Sequence, residues 1–375
     1  MDLFEVYPLF DITPVKAEGY WITDAKGNRY LDLYGGHAVI SIGHSHPTFV
    51  QRLEDQLHRI AFYSNSVHNP LQEALAEKMG RASDLEDYHL FLCNSGAEAN
   101  ENALKLASFH TGRARVLAFE NSFHGRTSAA VAATDNPDIV APLNAQHQVS
   151  FLPLNETQAL ERELAKGDVS AVILESIQGV GGLSMADPSF LREADELCRK
   201  YRAVLIADEV QSGFGRTGDF FAFQCAGIRP GIISMAKGMG NGFPVGGILI
   251  HPDFKARYGL LGTTFGGNHL ACAASLAVLE VLEKEALLAN AREMETYFRQ
   301  RVGELPVLPG VKGRGLMLGL EFDFEIGGLR RRLIENHRIF TGSSKNKNLL
   351  RILPALNVDR KALDLLFNAL EKELS

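Results

Sequence analysis

A single lysine, Lys237, sits between the apolar run "IISMA" and the glycine-rich stretch "GMGNGFPVGG". An ammonium group at the end of a buried strand loses hydration. It either snorkels along apolar surface to water or keeps a lowered pKa, with a neutral amine free to form an imine with a carbonyl. A similar choice arises at Asp208, which ends the apolar run Ala203 to Ala207 in "AVLIADEVQSGFGRTG". A carboxylate there caps the next segment or pairs with a cation, for which a protonated ring nitrogen would serve. Gln211 follows as a neutral donor. Earlier in the chain, Ser95, Gly96 and Ala97 in "NSGAEANENALKLA" open a helical pattern. The free N–H groups of such a start hold a phosphate, or Asn94 or Ser95 caps them. The stretch "ENSFHGRT" offers an aromatic plate, Phe123, beside His124 and Arg126; its simpler reading is a surface turn carrying a cation.

The elements that must position these groups follow from periodicity. From about Leu90 to Ile250 the apolar runs "HLFLC", "RVLAF", "VSFLPL", "AVILES", "AVLIADEV", "GIISMAKG" and "VGGILI" alternate with amphipathic stretches. This is the rhythm of an α/β fold in which helices cross over a mostly parallel, buried sheet. The candidate residues fall at strand ends, where an open parallel sheet gathers its chemistry. Near the N-terminus, "GYWITDAKGNRYLDLYGGH" reads as a hairpin. Towards the C-terminus a long helix is expected over "TTFGGNHLACAASLAVLEVLEKEALLANAREMETYFRQRV", then strands in "VKGRGLMLGLEFDF" and "LLRILPAL" and a closing amphipathic helix. The expected division is a large domain over residues 46–270 and a smaller α+β domain built from residues 1–45 and 271–375.

Composition excludes several roles. The chain has 375 residues, 46% of them hydrophobic, and a formal net charge of −7, which argues against nucleic acid or an anionic membrane surface as partner. Four cysteines without a C-x-x-C pair, and an acidic N-terminus "MDLFEVYPLF", fit reduced thiols and a cytoplasmic protein. His37, His44 and His46 read as local structure, with no metal expected. The run Arg330-Arg331-Arg332 reads as the wet face of a helix, and Glu209 and His124 as local hydrogen-bonding groups.

A phosphate cradle, an aromatic plate, an acid for a ring nitrogen and an imine-forming lysine together describe a pocket for pyridoxal 5′-phosphate. With "LDLYGGHAVISIGHSHP", "GTTFGGNHLACAAS" and "LLRILPAL" added in order, the motif set resembles the class III, ω-amino-acid type pyridoxal-phosphate aminotransferases along nearly the whole chain. The resemblance implies the type I transferase fold, with a large domain on a seven-stranded-type, mostly parallel sheet and a smaller C-terminal domain, and a homodimer with shared active sites. It gives Lys237 the covalent hold on the cofactor and a proton shuttle, Asp208 the ring nitrogen, Gln211 the neighbourhood of the ring hydroxyl and Phe123 one ring face. Ser95, Gly96 and Ala97 would hold the phosphate, with Thr264 reaching it from the second subunit. Arg126 and Thr263 would bind the α-carboxylate end of an acylornithine, and Arg351 the carboxylate of glutamate or 2-oxoglutarate.

The implied reaction moves the terminal amine of an acetyl- or succinylornithine to 2-oxoglutarate, in arginine biosynthesis. Ornithine, 4-aminobutyrate or an acylated lysine-pathway amine are alternative donors, an aminomutase is a different reaction on the same machinery, and a non-catalytic cofactor-binding protein is a further class. One departure stands out. Relatives commonly read E-P-I-Q-G-E-G-G where this chain has "ESIQGVGG", with Ser176 for proline and Val180 for the second glutamate. In ornithine-type relatives that glutamate pairs with the arginine matching Arg351; Val180 cannot, so Arg351 is expected to be open to carboxylates or masked by another acid.

Overall fold

The computed structural model describes residues 1–375. Strand β1 (Pro14–Glu18) leads into the expected hairpin, β2 (Trp21–Asp24) against β3 (Arg29–Asp32). Asp24 builds its turn: the carboxylate accepts from the N–H of Lys26 at 2.9 Å and of Asn28 at 2.8 Å. A side chain that satisfies the turn's own backbone is what lets "DAKGN" reverse the chain.

The central sheet is formed by β4 (His89–Cys93), β5 (Arg115–Phe119), β6 (Val149–Leu152), β7 (Val169–Leu174), β8 (Val204–Asp208), β9 (Ile232–Met235) and β10 (Gly246–Ile250). Their spatial order is β4-β10-β9-β8-β7-β5-β6, and β10 alone runs antiparallel to its neighbours. Successive side chains of a strand point to opposite faces. Thus Leu205 and Ala207 join Phe119, Leu174 and Ile233 in the core on one face, while Val204 and Ile206 join Ile173, Ile232 and Ile248 on the other. Both faces are covered, which is why these strands read as unbroken apolar runs. The helix Gly96–Thr111 lays Ala99, Ala103 and Ala107 on the second face, and its alanines allow a close approach.

The expected long helix is two helices, His269–Lys284 and Leu287–Val302. Residues 263–268 are loop, and the chain breaks again at Ala286, which adopts φ 50°. No glycine or proline marks that break. Val281, Leu282 and Leu287 on either side are all buried in the main core, so packing of the two helices imposes the turn against local propensity.

At the C-terminus, β11 (Gly310–Arg314) and β12 (Met317–Glu321) form a hairpin. The short strand β13 (Ile339–Phe340) pairs in parallel with β3, and β14 (Leu349–Ile352) pairs with β12. The arginine run is only partly wet. Arg331 and Arg332 face solvent on the helix Gly327–His337, but Arg330 turns inward, and its Nε donates to the carbonyl of Thr341 at 2.9 Å. Arg216, by contrast fully buried, donates to the carbonyls of Ile40 at 3.1 Å, Leu316 at 3.3 Å and Pro354, and so joins three distant stretches of chain. Burial pushes its pKa down to about 9.

Candidate active site

A cavity of about 390 Å³ opens at the carboxyl ends of the parallel strands. Ser95, Gly96, Ala97, Phe123, Arg126, Asp208, Gln211 and Lys237 all line it. Chain order reverses between β5 and β7, and Phe123 and Glu175 stand at that crevice, where α/β sheets place ligands.

Lys237 follows β9 with φ 43°, in the left-handed region that costs a side-chain-bearing residue energy. The strain is held by neighbours: Ser41 Oγ donates to Gly238 O at 2.8 Å, and Asn241 Oδ1 accepts from the N–H groups of Ser41 and Ile42 at 2.9 and 3.1 Å. Burial lowers the pKa of Lys237 and Arg351 lowers it further, while Asp208 and Glu175 oppose the shift. The result favours a neutral, nucleophilic amine in contact with the cavity.

Asp208 caps the local turn with one oxygen and is braced from two other elements through the second. Its Oδ1 accepts from the N–H of Val210 at 3.0 Å in the local turn. Its Oδ2 meets Asn100 Nδ2 at 2.7 Å and His124 Nδ1 at 2.7 Å. His124 therefore does more than local hydrogen bonding: it links the ends of β5 and β8, and its buried Nε2 has no partner. Its position five residues beyond the end of β5 gave no hint of this, because the partner lies on another strand. Glu209, by contrast, is purely local, accepting from Ser212 Oγ at 2.7 Å and from the N–H groups of Ala222 and Phe223 at 2.9 and 3.0 Å.

At the other end of the cavity, Ser95 caps the helix Gly96–Thr111 by accepting from the N–H of Glu98 at 3.2 Å. The N–H groups of Gly96 and Ala97 are left without protein acceptors, so cap and anion cradle coexist. A Cβ at Gly96 would lie 2.5 Å from Val210 Cγ1, so only glycine lets the cradle approach the Asp208 turn.

Arg351 is buried one layer behind the wall. Its Nε donates to Ser343 O at 2.6 Å and its Nη1 to Gly179 O at 2.7 Å, with Gln211 Oε1 at 3.4 Å. Of the two expectations for its partner, a masking acid is absent: backbone carbonyls hold it, and no carboxylate pairs with it. Gln211 also donates to the carbonyl of His37 at 3.3 Å. That carbonyl is presented by a left-handed turn, with φ of 55°, 56°, 69° and 62° at Gly35, Gly36, His37 and Ala38.

Arg126 is exposed at the mouth. Thr263 and Thr264 lie off the cavity wall; Thr263 Oγ1 accepts from Asn94 Nδ2 at 3.3 Å, and Thr264 is exposed on the same loop. His44 and His46 go to separate carboxylates, Asp32 at 2.9 Å and Glu285 at 2.8 Å, while His37 meets Tyr34.

The model of the class III aminotransferase family matches residues 5–374. The chain belongs to this family. Acetylornithine aminotransferase of Bacillus cereus is 39% identical over 373 residues, spanning 96% of this chain and 94% of its own. The acetylornithine aminotransferase of Archaeoglobus fulgidus is 38% identical over 368 residues, 96% of this chain and 95% of its own. Among solved structures, the ornithine aminotransferase of Toxoplasma gondii superposes with a TM-score of 0.90 at 27% identity, covering 97% of this chain and 90% of that one.

Class III aminotransferases are pyridoxal-phosphate enzymes of the type I fold, and the site fits that cofactor. The free N–H pair at Gly96 and Ala97, the braced carboxylate of Asp208 and the unpartnered amine of Lys237 are the three kinds of group that it requires. When bound, it supplies an electron sink for the amine-bearing carbon of a substrate.

Proposed function

We propose that this aminotransferase moves the terminal amine of an N-acylornithine to 2-oxoglutarate, yielding the semialdehyde and glutamate, as a step of arginine biosynthesis in the cytoplasm. The observation that carries the reading is the pairing, across one cavity, of a lysine depressed in pKa with an aspartate braced by His124 and Asn100. The names of the full-length relatives support the acylated donor.

In this reading Lys237 binds the cofactor covalently and carries a proton at Nζ between the reacting carbons. Asp208 would keep the ring nitrogen protonated; the hydrogen bonds from His124 and Asn100 to its Oδ2 fix the orientation of the carboxylate. Phe123 excludes water from one ring face, and Ser95, Gly96 and Ala97 hold phosphate. Arg126, free at the mouth, takes the α-carboxylate of the donor, with Thr263 reaching it from the loop of a second subunit, and Arg351 takes a carboxylate of the acceptor.

Thr264 then belongs to the site of a second subunit. A homodimer is supported by the large apolar side chains exposed around that loop, Phe62, Tyr63, Tyr258 and Phe265. The testing experiment is a donor panel of acetylornithine, succinylornithine, ornithine and 4-aminobutyrate against constant 2-oxoglutarate. Turnover with an acylornithine at least tenfold above the free amines supports the reading, and preference for ornithine overturns it.

A further inference from the structure

Glu175 is the carboxylate on the cavity wall that these roles leave unused. It directly follows β7, is 7% exposed and has no ion-pair partner. Its two oxygens are divided between two loops. Oε1 accepts the N–H of Phe123 at 3.0 Å, and Oε2 accepts the N–H of Gly179 at 2.9 Å. The carbonyl of that same Gly179 accepts from Arg351 Nη1 at 2.7 Å. A Cβ on Gly179 would stand 1.8 Å from Gln211 Oε1, so Gly179 is fixed through its N–H, its C=O and its missing side chain together.

Arg351 is set chiefly by such contacts. No carboxylate orients the guanidinium; two carbonyls hold Nε and Nη1, with Gln211 Oε1 a longer partner of Nη1, and Nη2 has no protein acceptor. A planar fork binds a carboxylate well in only one orientation, so a small rotation of the Gly179 peptide misaims it.

We propose that Glu175 is a positioning residue: by holding the Gly179 peptide it aims Arg351 at the carboxylate of the amine acceptor, while its other oxygen keeps Phe123 in place. This rests on Arg351 being the residue that binds that carboxylate. Burial, with Asp208 nearby, pushes the Glu175 pKa up to about 7 against the pull of His124. A charge so costly to bury is kept useful by the two N–H groups it accepts.

The test is calorimetric binding of glutarate, an unreactive dicarboxylate, to the cofactor-loaded protein. Glu175→Gln keeps one acceptor oxygen and turns the other into an NH₂ that opposes an N–H. It should weaken glutarate binding about tenfold, near 1.4 kcal/mol. Arg351→Lys should weaken it as well, and the double variant should bind no worse than Arg351→Lys alone, since the first residue acts through the second. Wild-type affinity in Glu175→Gln, or the same tenfold loss in the Arg351→Lys background, overturns the proposal. Should Glu175→Gln fail to fold, Glu175→Asp must show a loss between two- and tenfold, and an unchanged affinity again overturns it. Absence of turnover with every acylornithine removes the proposed reaction alone. Loss of the Arg351 dependence removes this inference with it.

Discussion

Glu209 is buried among three hydrogen-bond donors, and its pKa is nevertheless pushed up to about 7, chiefly by burial. The folded value lies above that of the free chain, so its contribution to stability is fully present below about pH 4.5 and is lost as pH rises through 7. Glu209→Gln removes that dependence. Its unfolding free energy relative to wild type should therefore rise between pH 5 and pH 8, by on the order of 3 kcal/mol at most, read from urea titrations at both values. At Lys237 the expected outcome is chemical. Lys237→Ala should fold, lose the lysine-linked imine absorption of the loaded protein and lose turnover. Borohydride reduction of wild type followed by peptide mapping should label this lysine and no other. Arg126→Ala should slow the acylornithine half-reaction at least tenfold and spare the glutamate half-reaction, in single-turnover spectroscopy; equal losses would sink its separate role. Single residues were legible where type and place agreed. A lysine and an aspartate ending apolar runs need a reason to be there, and that reason can be sought from the sequence. Glu175 and His124 carry the same chemistry, but their meaning depends on which loop faces them across the sheet, and one chain's spacing does not encode that.

Elements were legible where burial is two-sided or periodic. The strands of the central sheet announced themselves because both faces meet helices, and the hairpin because Asp24 and Gly27 supply its turn. The break at Ala286 did not, since the residues around it are ordinary helix formers and only core packing bends them. A non-glycine residue in that conformation costs about 1 kcal/mol, offset in part by the added chain entropy of glycine. Ala286→Gly should accordingly stabilise the protein by about 0.5 kcal/mol and Ala286→Pro should destabilise it, as thermal unfolding will show. The loop after β7 offers a functional counterpart. Val180 lines the cavity, and its carbonyl accepts from the N–H of Lys345 at 2.9 Å, so the backbone there is anchored. Val180→Glu would place a carboxylate near Arg351 that an incoming acceptor must displace. It should weaken 2-oxoglutarate binding about tenfold and relieve inhibition by excess 2-oxoglutarate, measured over a wide concentration range. Unchanged affinity and inhibition would mean that Val180 does not face Arg351.

At the scale of the whole molecule, the N-terminal segment belongs to the site as firmly as the sheet does. Val39 lines the cavity, β3 pairs with β13, and Arg216 takes the carbonyls of Ile40, Leu316 and Pro354. A chain is made from its N-terminus, so the carbonyl of Ile40 must wait for roughly three hundred further residues, or some 15 to 60 s at about 5 to 20 residues per second, before Pro354 exists to complete the cluster. Once Ile250 has been made, the strands of the sheet can assemble while Arg216 still lacks Leu316 and Pro354 from its shell. The newborn protein thus holds a nearly finished sheet before its first and last stretches are tied together, and that tie closes only within the last twentieth or so of its synthesis.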